Sequence, residues 1–194
     1  MTDPTGHPAP DLQPFAAVIF DCDGVLIDSE PISARTLVRC LDDFNCRIDE
    51  AYVYRHYLGR SFATIEADFQ TRLGVPMPDT FLAHWQEHLF AAFRAGLRPL
   101  AGITDLLQRL RVPYAVVSSS APARLGLCLQ LAALDGYFGD RVFNAAMVRH
   151  GKPAPDLFLL AAERLAVDPQ RSLAIEDSVS GIKAARAAGM TVWG

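Results

Sequence analysis

Lysine is nearly absent from this chain: 16 of its 18 basic residues are arginine, leaving only Lys152 and Lys183. Against 22 acidic residues the net charge is -4, with no basic block, which excludes a general attraction to nucleic acid or to an anionic membrane. No apolar run approaches the roughly 18 residues that cross a bilayer. The densest run, at 15–20, has the length of a strand and stops at Asp21. Cysteine is sparse. Cys22, Cys40, Cys46 and Cys128 form no CxxC pair and no zinc spacing, and they are too few to staple 194 residues. Reduced thiols and a cytoplasmic location are expected. Residues 1–14 hold four prolines but no lysine, arginine or apolar stretch, so they read as a flexible tail rather than a signal peptide. P-loop, GxGxxG and HExxH signatures are all missing. Of the histidines, His7 falls in the tail. His84 and His88 stand at i, i+4 in one predicted helix, a spacing that by itself carries no assignment.

Hydrophobic residues make up 51% of the chain, enough to bury a real core. The run 15–21 (FAAVIFD) predicts a buried strand of a parallel sheet ending at a carboxylate. From 31 to about 96 no strand is evident. Segments 33–44, 49–57, 61–73 and 79–95 carry apolar residues at i, i+3 and i+4 and read as four helices. Gly74 closes the third, Pro76 and Pro78 fill the next loop, and Asp79 caps the fourth. After residue 100, helices at 103–111, 122–131, 156–166 and 179–188 alternate with strands at 114–118, 141–144, 172–176 and 191–193. Strands joined by helices of about ten residues imply right-handed crossovers and a parallel sheet covered on both faces. The expected fold is a doubly wound α/β core, residues 15–30 and 100–194, with an all-helical cap inserted at 31–99.

In such sheets ligands bind beyond the carboxyl ends of the strands. The polar groups there are Asp21 and Asp23 after the first strand, Ser118 and Ser119 after the second, Lys152 in the loop before the 156–166 helix, and Glu176 with Asp177 after the fourth. Each alone has an ordinary reading as a turn, cap or solvated residue. Together, in this order, they are what phosphoryl transfer needs. A phosphate monoester repels a carboxylate nucleophile unless a cation and a lysine neutralise the charge. Asp21 and Asp177 offer hard oxygen ligands to Mg²⁺. Hydroxyl and backbone N–H groups at Ser118 and Ser119 would hold the phosphoryl oxygens, and Lys152 would screen nucleophile and phosphate together. In an extended segment Asp23 lies on the same side as Asp21, with Cys22 facing away. Asp23 is then placed to protonate the leaving alkoxide and afterwards to deprotonate water, and Gly24 lets the chain turn. Asp21 would attack phosphorus to form an aspartyl phosphate that water hydrolyses.

The motifs DCDGVLIDSE, a hydrophobic strand ending in Ser118, GKPAPD and EDSVSGIKAARAAGM resemble the haloacid dehalogenase superfamily, in its branch with a helical cap after the first strand. The resemblance covers 15–190. It implies a Mg²⁺-dependent hydrolase with Asp21 as nucleophile and Asp23 as acid-base. Ser118 and Lys152 would bind phosphate. Metal ligands would be Asp21, Asp177, Glu176 and the backbone carbonyl of Asp23. An Asp at 23, rather than a small residue, is similar to the phosphatases and mutases and unlike the dehalogenases. The mutase pattern typically has a histidine shortly after the DSE segment, where this chain has Ser33. The stretch 28–35 looks more similar to phosphatases of small phosphorylated sugars or sugar acids, such as 6-phosphogluconate. A hexose-phosphate mutase, or an idle binding protein on the same fold, is the alternative.

For substrate contacts the turn after Leu58-Gly59 singles out Arg60 and Ser61, because this branch dips a loop from the cap into the cleft there, where an arginine can pair with a substrate carboxylate. Arg35 and Arg55 are lesser candidates. The expected partner is a small phosphorylated substrate, with no nucleic acid or membrane, and a monomer is the default. The family carries a further loop and helix after the strand at 191, so that strand is expected to be frayed or the sequence to stop short of the natural end.

Overall fold

The computed structural model describes residues 15–57 and 62–194; the tail expected over 1–14 lies outside them. Strand β1 (Ala17–Phe20) is buried at all four positions, as a strand must be when both faces of its sheet are covered. Four helices follow: α1 (Glu30–Asp43), α2 (Glu50–His56), α3 (Phe62–Leu73) and α4 (Phe81–Gly96). Next come α5 (Ile103–Arg109), β2 (Tyr114–Ser118), α6 (Pro122–Leu131), α7 (Asp135–Phe138) and β3 (Val142–Asn144). The chain continues through α8 (Asp156–Arg164), β4 (Ser172–Ile175), α9 (Val179–Ala187) and β5 (Thr191–Trp193).

The five strands form one parallel sheet in the order β3-β2-β1-β4-β5. Alternate side chains of β1 serve opposite faces. Val18 and Phe20 pack with Leu107, Leu125, Leu129 and Phe138 from α5, α6 and α7. Ile19 packs with Leu157, Phe158, Ala161, Ala184 and Ala185 from α8 and α9. The doubly wound core therefore follows from a strand too apolar to leave either face wet. Strand β5 is paired along β4 through Leu173↔Thr191, Ala174↔Val192 and Ile175↔Trp193, so it is ordered rather than frayed.

The starts of α1, α2 and α4 differ from the sequence expectation, and several helices end one or two residues away from it. Helix α1 starts at Glu30 rather than 33, because Pro31 fits the first turn, where its missing N–H is not needed. Helix α2 starts at Glu50, with Asp49 as its cap accepting from the Tyr52 N–H at 2.7 Å. Helix α4 has Thr80, not Asp79, at its N-cap position, without a side-chain cap bond. Gly74 closes α3 with φ +70°, its N–H donating to the Gln70 carbonyl. Helix α7 was not expected, since one turn has no periodicity; it buries Phe138 edge-on against Tyr114 at 5.5 Å.

Helices α1 to α4 have their own apolar centre, which includes Leu37, Cys40, Leu41, Val53, Ile65, Phe69 and Phe81. Trp85 of α4 packs against both this cluster and the Val18 face of the sheet. The two linkers that carry these helices run side by side. The Asp28 N–H donates to the Arg98 carbonyl and the Leu100 N–H to the Leu26 carbonyl.

Asp68 joins α2 to α3: its carboxylate accepts from Tyr57 Oη at 2.5 Å, Tyr52 Oη at 3.2 Å and Arg72 Nε at 2.6 Å. Burial alone would raise its pKa, but these donors outweigh burial and hold it below the ordinary carboxylate value. A depressed folded pKa contributes stability above the unfolded value of about 4, and that stability is lost as pH falls through the folded value. Asp68→Ala is expected to lower unfolding stability by about 1–3 kcal/mol at pH 7. In urea titrations the difference from wild type should shrink below about pH 4.

Candidate active site

The register of the sheet assembles the site. Phe20 sits opposite Val116 on β2 and Ile175 on β4. Asp21 therefore leaves the sheet level with Glu176 and one step short of Ser118, its N–H still donating to the Ile175 carbonyl at 2.9 Å. Asp21, Ser118 and Glu176 are all buried. Lys152 reaches them from the loop before α8. Its ammonium donates to Asp21 Oδ1 and Glu176 Oε1, each at 2.5 Å, and its side chain is 2% exposed. Burial would lower the Lys152 pKa, but the two carboxylates outweigh it and keep the ammonium charged. Burial pushes Asp21 upward against the pull of Lys152, with Glu176 and Asp23 adding repulsion.

Glu176 has both oxygens engaged, Oε1 by Lys152 and Oε2 by the Ser178 N–H (2.8 Å) and hydroxyl (2.9 Å). The side chain expected as a metal ligand is thus an anchor for Lys152 in this structure. Its carboxylate occupies the space where a Cβ on Gly181 would stand. Ser178 also caps α9, accepting from the Gly181 N–H at 3.0 Å.

Asp177 lies over Gly24, which turns the chain after β1 with φ +81° and whose missing Cβ makes room for the Asp177 carboxylate. Burial and Glu176 raise the Asp177 pKa. Asp21 and Asp177, two carboxylates crowded at adjacent strand ends and both pushed toward neutrality, are a hard-oxygen donor set that fits Mg²⁺.

Asp23 faces the same cleft but is held by different partners. Its Oδ1 accepts from Ser29 Oγ at 2.5 Å and Arg124 Nη2 at 2.7 Å, and its Oδ2 accepts from Ser120 Oγ at 3.0 Å. Cys22 between the two aspartates turns into the core with Val18 and Phe20. Ser118 Oγ accepts from the Ser120 N–H at 3.0 Å, while Ser119 is exposed on the rim.

The sequence reading missed Ser29, Ser120 and Arg124. Ser29 stood inside the DCDGVLIDSE motif, and Ser120 directly follows the Ser118–Ser119 pair. Arg124 had a weaker signal, a basic residue in the first turn of the helix after β2. Its guanidinium also lies 5.5 Å from the Phe93 ring of α4, which links Asp23 to the cap helices.

All these groups line one cleft of about 1160 Å³ between the sheet and the inserted helices. Polar groups from Glu30, Ser33, Ser180 and Lys183 edge it, and Leu37, Val53, Ile65 and Trp85 form an apolar wall. The Trp85 indole N–H is buried without a partner among the described residues. Arg60 and Ser61 lie outside the described residues. Arg35 and Arg55 are exposed and do not line the cleft.

Comparison with known proteins places this geometry. A family model described as haloacid dehalogenase-like hydrolase matches residues 15–189. The chain is 31% identical to a fructose-1-phosphate phosphatase of Escherichia coli, over 91% of this chain and 94% of that protein. It is 29% identical to the 6-phosphogluconate phosphatase of the same organism, over 91% of this chain and 80% of that one. A crystal structure of a HAD family hydrolase from Deinococcus radiodurans, with bound phosphate and sodium, superposes with a TM-score of 0.80 at 35% identity. That match covers 93% of this chain and 80% of the other.

Gly181 lies inside a helix, where Ala normally stabilises by up to about 1 kcal/mol. Here the added methyl would displace the Glu176 carboxylate and with it Lys152. Gly181→Ala is therefore expected to lower turnover at least tenfold in a steady-state assay, with no gain in melting temperature.

Proposed function

The chain belongs to the haloacid dehalogenase-like hydrolases, and on that premise we propose that it is a Mg²⁺-dependent phosphatase of small phosphorylated sugars or sugar acids. The observation that carries the reading is the buried Lys152 ammonium bridging Asp21 and Glu176 on the floor of a roomy cleft. A charged lysine beside a nucleophilic carboxylate serves a dianionic phosphoryl group and has little use for a neutral substrate.

In this reading the phosphoryl group sits between Asp21, Lys152 and the Ser118–Ser119 turn. Asp21 and Asp177, with the Asp23 carbonyl, would hold Mg²⁺, which when bound neutralises phosphate charge and favours the ionised form of Asp21. An Asp21 oxygen attacks phosphorus, the bond from phosphorus to the substrate oxygen breaks, and Asp23, which enters this half of the cycle protonated, gives that oxygen its proton. Water then attacks the aspartyl phosphate, Asp23 takes the water's proton, and inorganic phosphate leaves with Asp21 free again. Ser29, Ser120 and Arg124 fix the Asp23 carboxyl for both transfers. Such acid-base help contributes about 10²–10⁴ in rate. Glu176 acts through Lys152.

The substrate class rests on the named phosphatase relatives and on the cleft, whose polar edge suits hydroxyls and whose Trp85 wall suits the C–H face of a sugar. Arg60 and Ser61 belong to this reading as contacts to the substrate away from its phosphate. Four free cysteines accord with a reducing, cytoplasmic setting, and among the described residues no helix is long and apolar enough to cross a membrane.

Three measurements test the proposal. Asp21→Asn should abolish phosphate release from a generic ester and from the best substrate of a screen over sugar phosphates, sugar-acid phosphates and nucleotides; wild-type turnover by this variant overturns the nucleophile. Chelation should stop release and added Mg²⁺ restore it, with free phosphate as product; phosphate moved to another carbon would identify a mutase instead. Arg60→Ala should raise KM for the best sugar substrate several-fold more than for the generic ester.

A further inference from the structure

A second group of metal-binding side chains stands away from the cleft. Cys40 on α1 faces His84 and His88 on α4, and one ligand atom from each lies within 4.8 Å of the others. A small cavity of about 270 Å³ opens on Cys40, His88, Asp43, Thr36 and Arg39, sharing no lining residue with the phosphate cleft.

The hydrogen bonds fix the tautomer of each ring in its neutral form. His88 Nδ1 lies 2.9 Å from the His84 carbonyl oxygen. A carbonyl only accepts, so Nδ1 carries the proton and Nε2 keeps its lone pair. His84 Nε2 lies 3.0 Å from Asp43 Oδ2. An ionised carboxylate also only accepts, which leaves the lone pair on Nδ1. Each imidazole is thus held as metal-ligating histidines usually are, with the outer N–H given to a carbonyl or carboxylate.

We propose that Cys40, His84 and His88 bind one borderline-soft divalent cation, with Zn²⁺ the best match, and that Asp43 orients His84. Zinc takes sulfur at about 2.3 Å and nitrogen at about 2.0–2.1 Å in a tetrahedron. That sets ligand atoms about 3.5 Å apart, so they must converge by about 1 Å, within the reach of side-chain rotation. Water from the small cavity takes the fourth position. Binding replaces the Cys40 thiol proton, which is released to solvent. The ligand set separates this ion from that of the cleft: thiolate and imidazole select zinc, whereas carboxylates and carbonyls select Mg²⁺. The ion ties α1 to α4, the helices that bring Leu37 and Trp85 to the cleft wall.

The test is titration of the metal-stripped full chain with Co²⁺ in excess Mg²⁺. One equivalent should produce a near-ultraviolet thiolate-to-cobalt band with tetrahedral visible bands, and Zn²⁺ should abolish both. Cys40→Ser should remove the thiolate band, and His88→Gln should weaken Co²⁺ binding at least tenfold. Zn²⁺ should raise the melting temperature of wild type but not of either variant. Co²⁺ bound only at the oxygen-rich cleft gives no thiolate band; that spectrum, or a band unchanged in both variants, overturns the proposal.

Discussion

The structure depends on one ammonium group placed between two buried carboxylates. Lys152 is almost completely withdrawn from water, as are Asp21 and Glu176, and removing the lysine leaves two buried carboxylates without a counter-charge, at a cost of about 3–5 kcal/mol. Much of the nearby architecture serves this arrangement. The parallel register levels Asp21 with Glu176, Ser178 occupies the second Glu176 oxygen, and Gly181 leaves the space that Glu176 fills. The Phe158 ring of α8, 5.2 Å from the ammonium, closes the site from below. The balance is incomplete without further positive charge, since Asp23 and Asp177 lie in the same cleft. A site so rich in carboxylates accords with the proposed cation, whose charge would in turn let the site hold an anionic phosphoryl group.

The two aspartates of the DxD motif are kept in separate electrostatic settings. Asp21 answers to the deep lysine. Asp23 answers to Ser29, Ser120 and Arg124, and Arg124 leans on Phe93 of α4. The carboxyl proposed for proton transfer is therefore mechanically coupled to the cap helices, while the proposed nucleophile is coupled to the sheet. A change in the packing of α4 would reach the proton donor before it reached the attacking oxygen.

The core was legible because its signals are local. A β-branched run ending in a carboxylate marks a strand end, and helices between such runs dictate a parallel sheet, so Asp21, Ser118, Glu176 and Asp177 could be placed from spacing alone. Lys152 was legible as a residue in a motif and expected beside Asp21, but its bond to Glu176 was not, because Glu176 had been read as a metal ligand. Arg124 was lost because its partner lies 101 positions away, a separation that leaves no periodic trace. At the starts of α1 and α4 the local signals misled, since Pro31 fits inside the first turn of one and, among the described residues, neither Asp79 nor Thr80 makes a side-chain cap bond in the other. The cluster at Cys40 shows the limit most clearly. His84 and His88 are visible as a helical pair, yet the thiol that completes them comes from a helix 44 positions earlier, and only packing brings it there.

The paired linkers carry a consequence for how such a protein can diversify. The segment that carries α1 to α4 departs beside Leu26 and returns beside Leu100, where backbone bonds hold exit and entry side by side. A helical segment whose two ends meet at that spacing is joined to the core without passing through the ends of β1 and β4, where Asp21 and Asp177 stand. Under the proposed function, exchanging such a segment would change what is recognised and leave those strand ends in place.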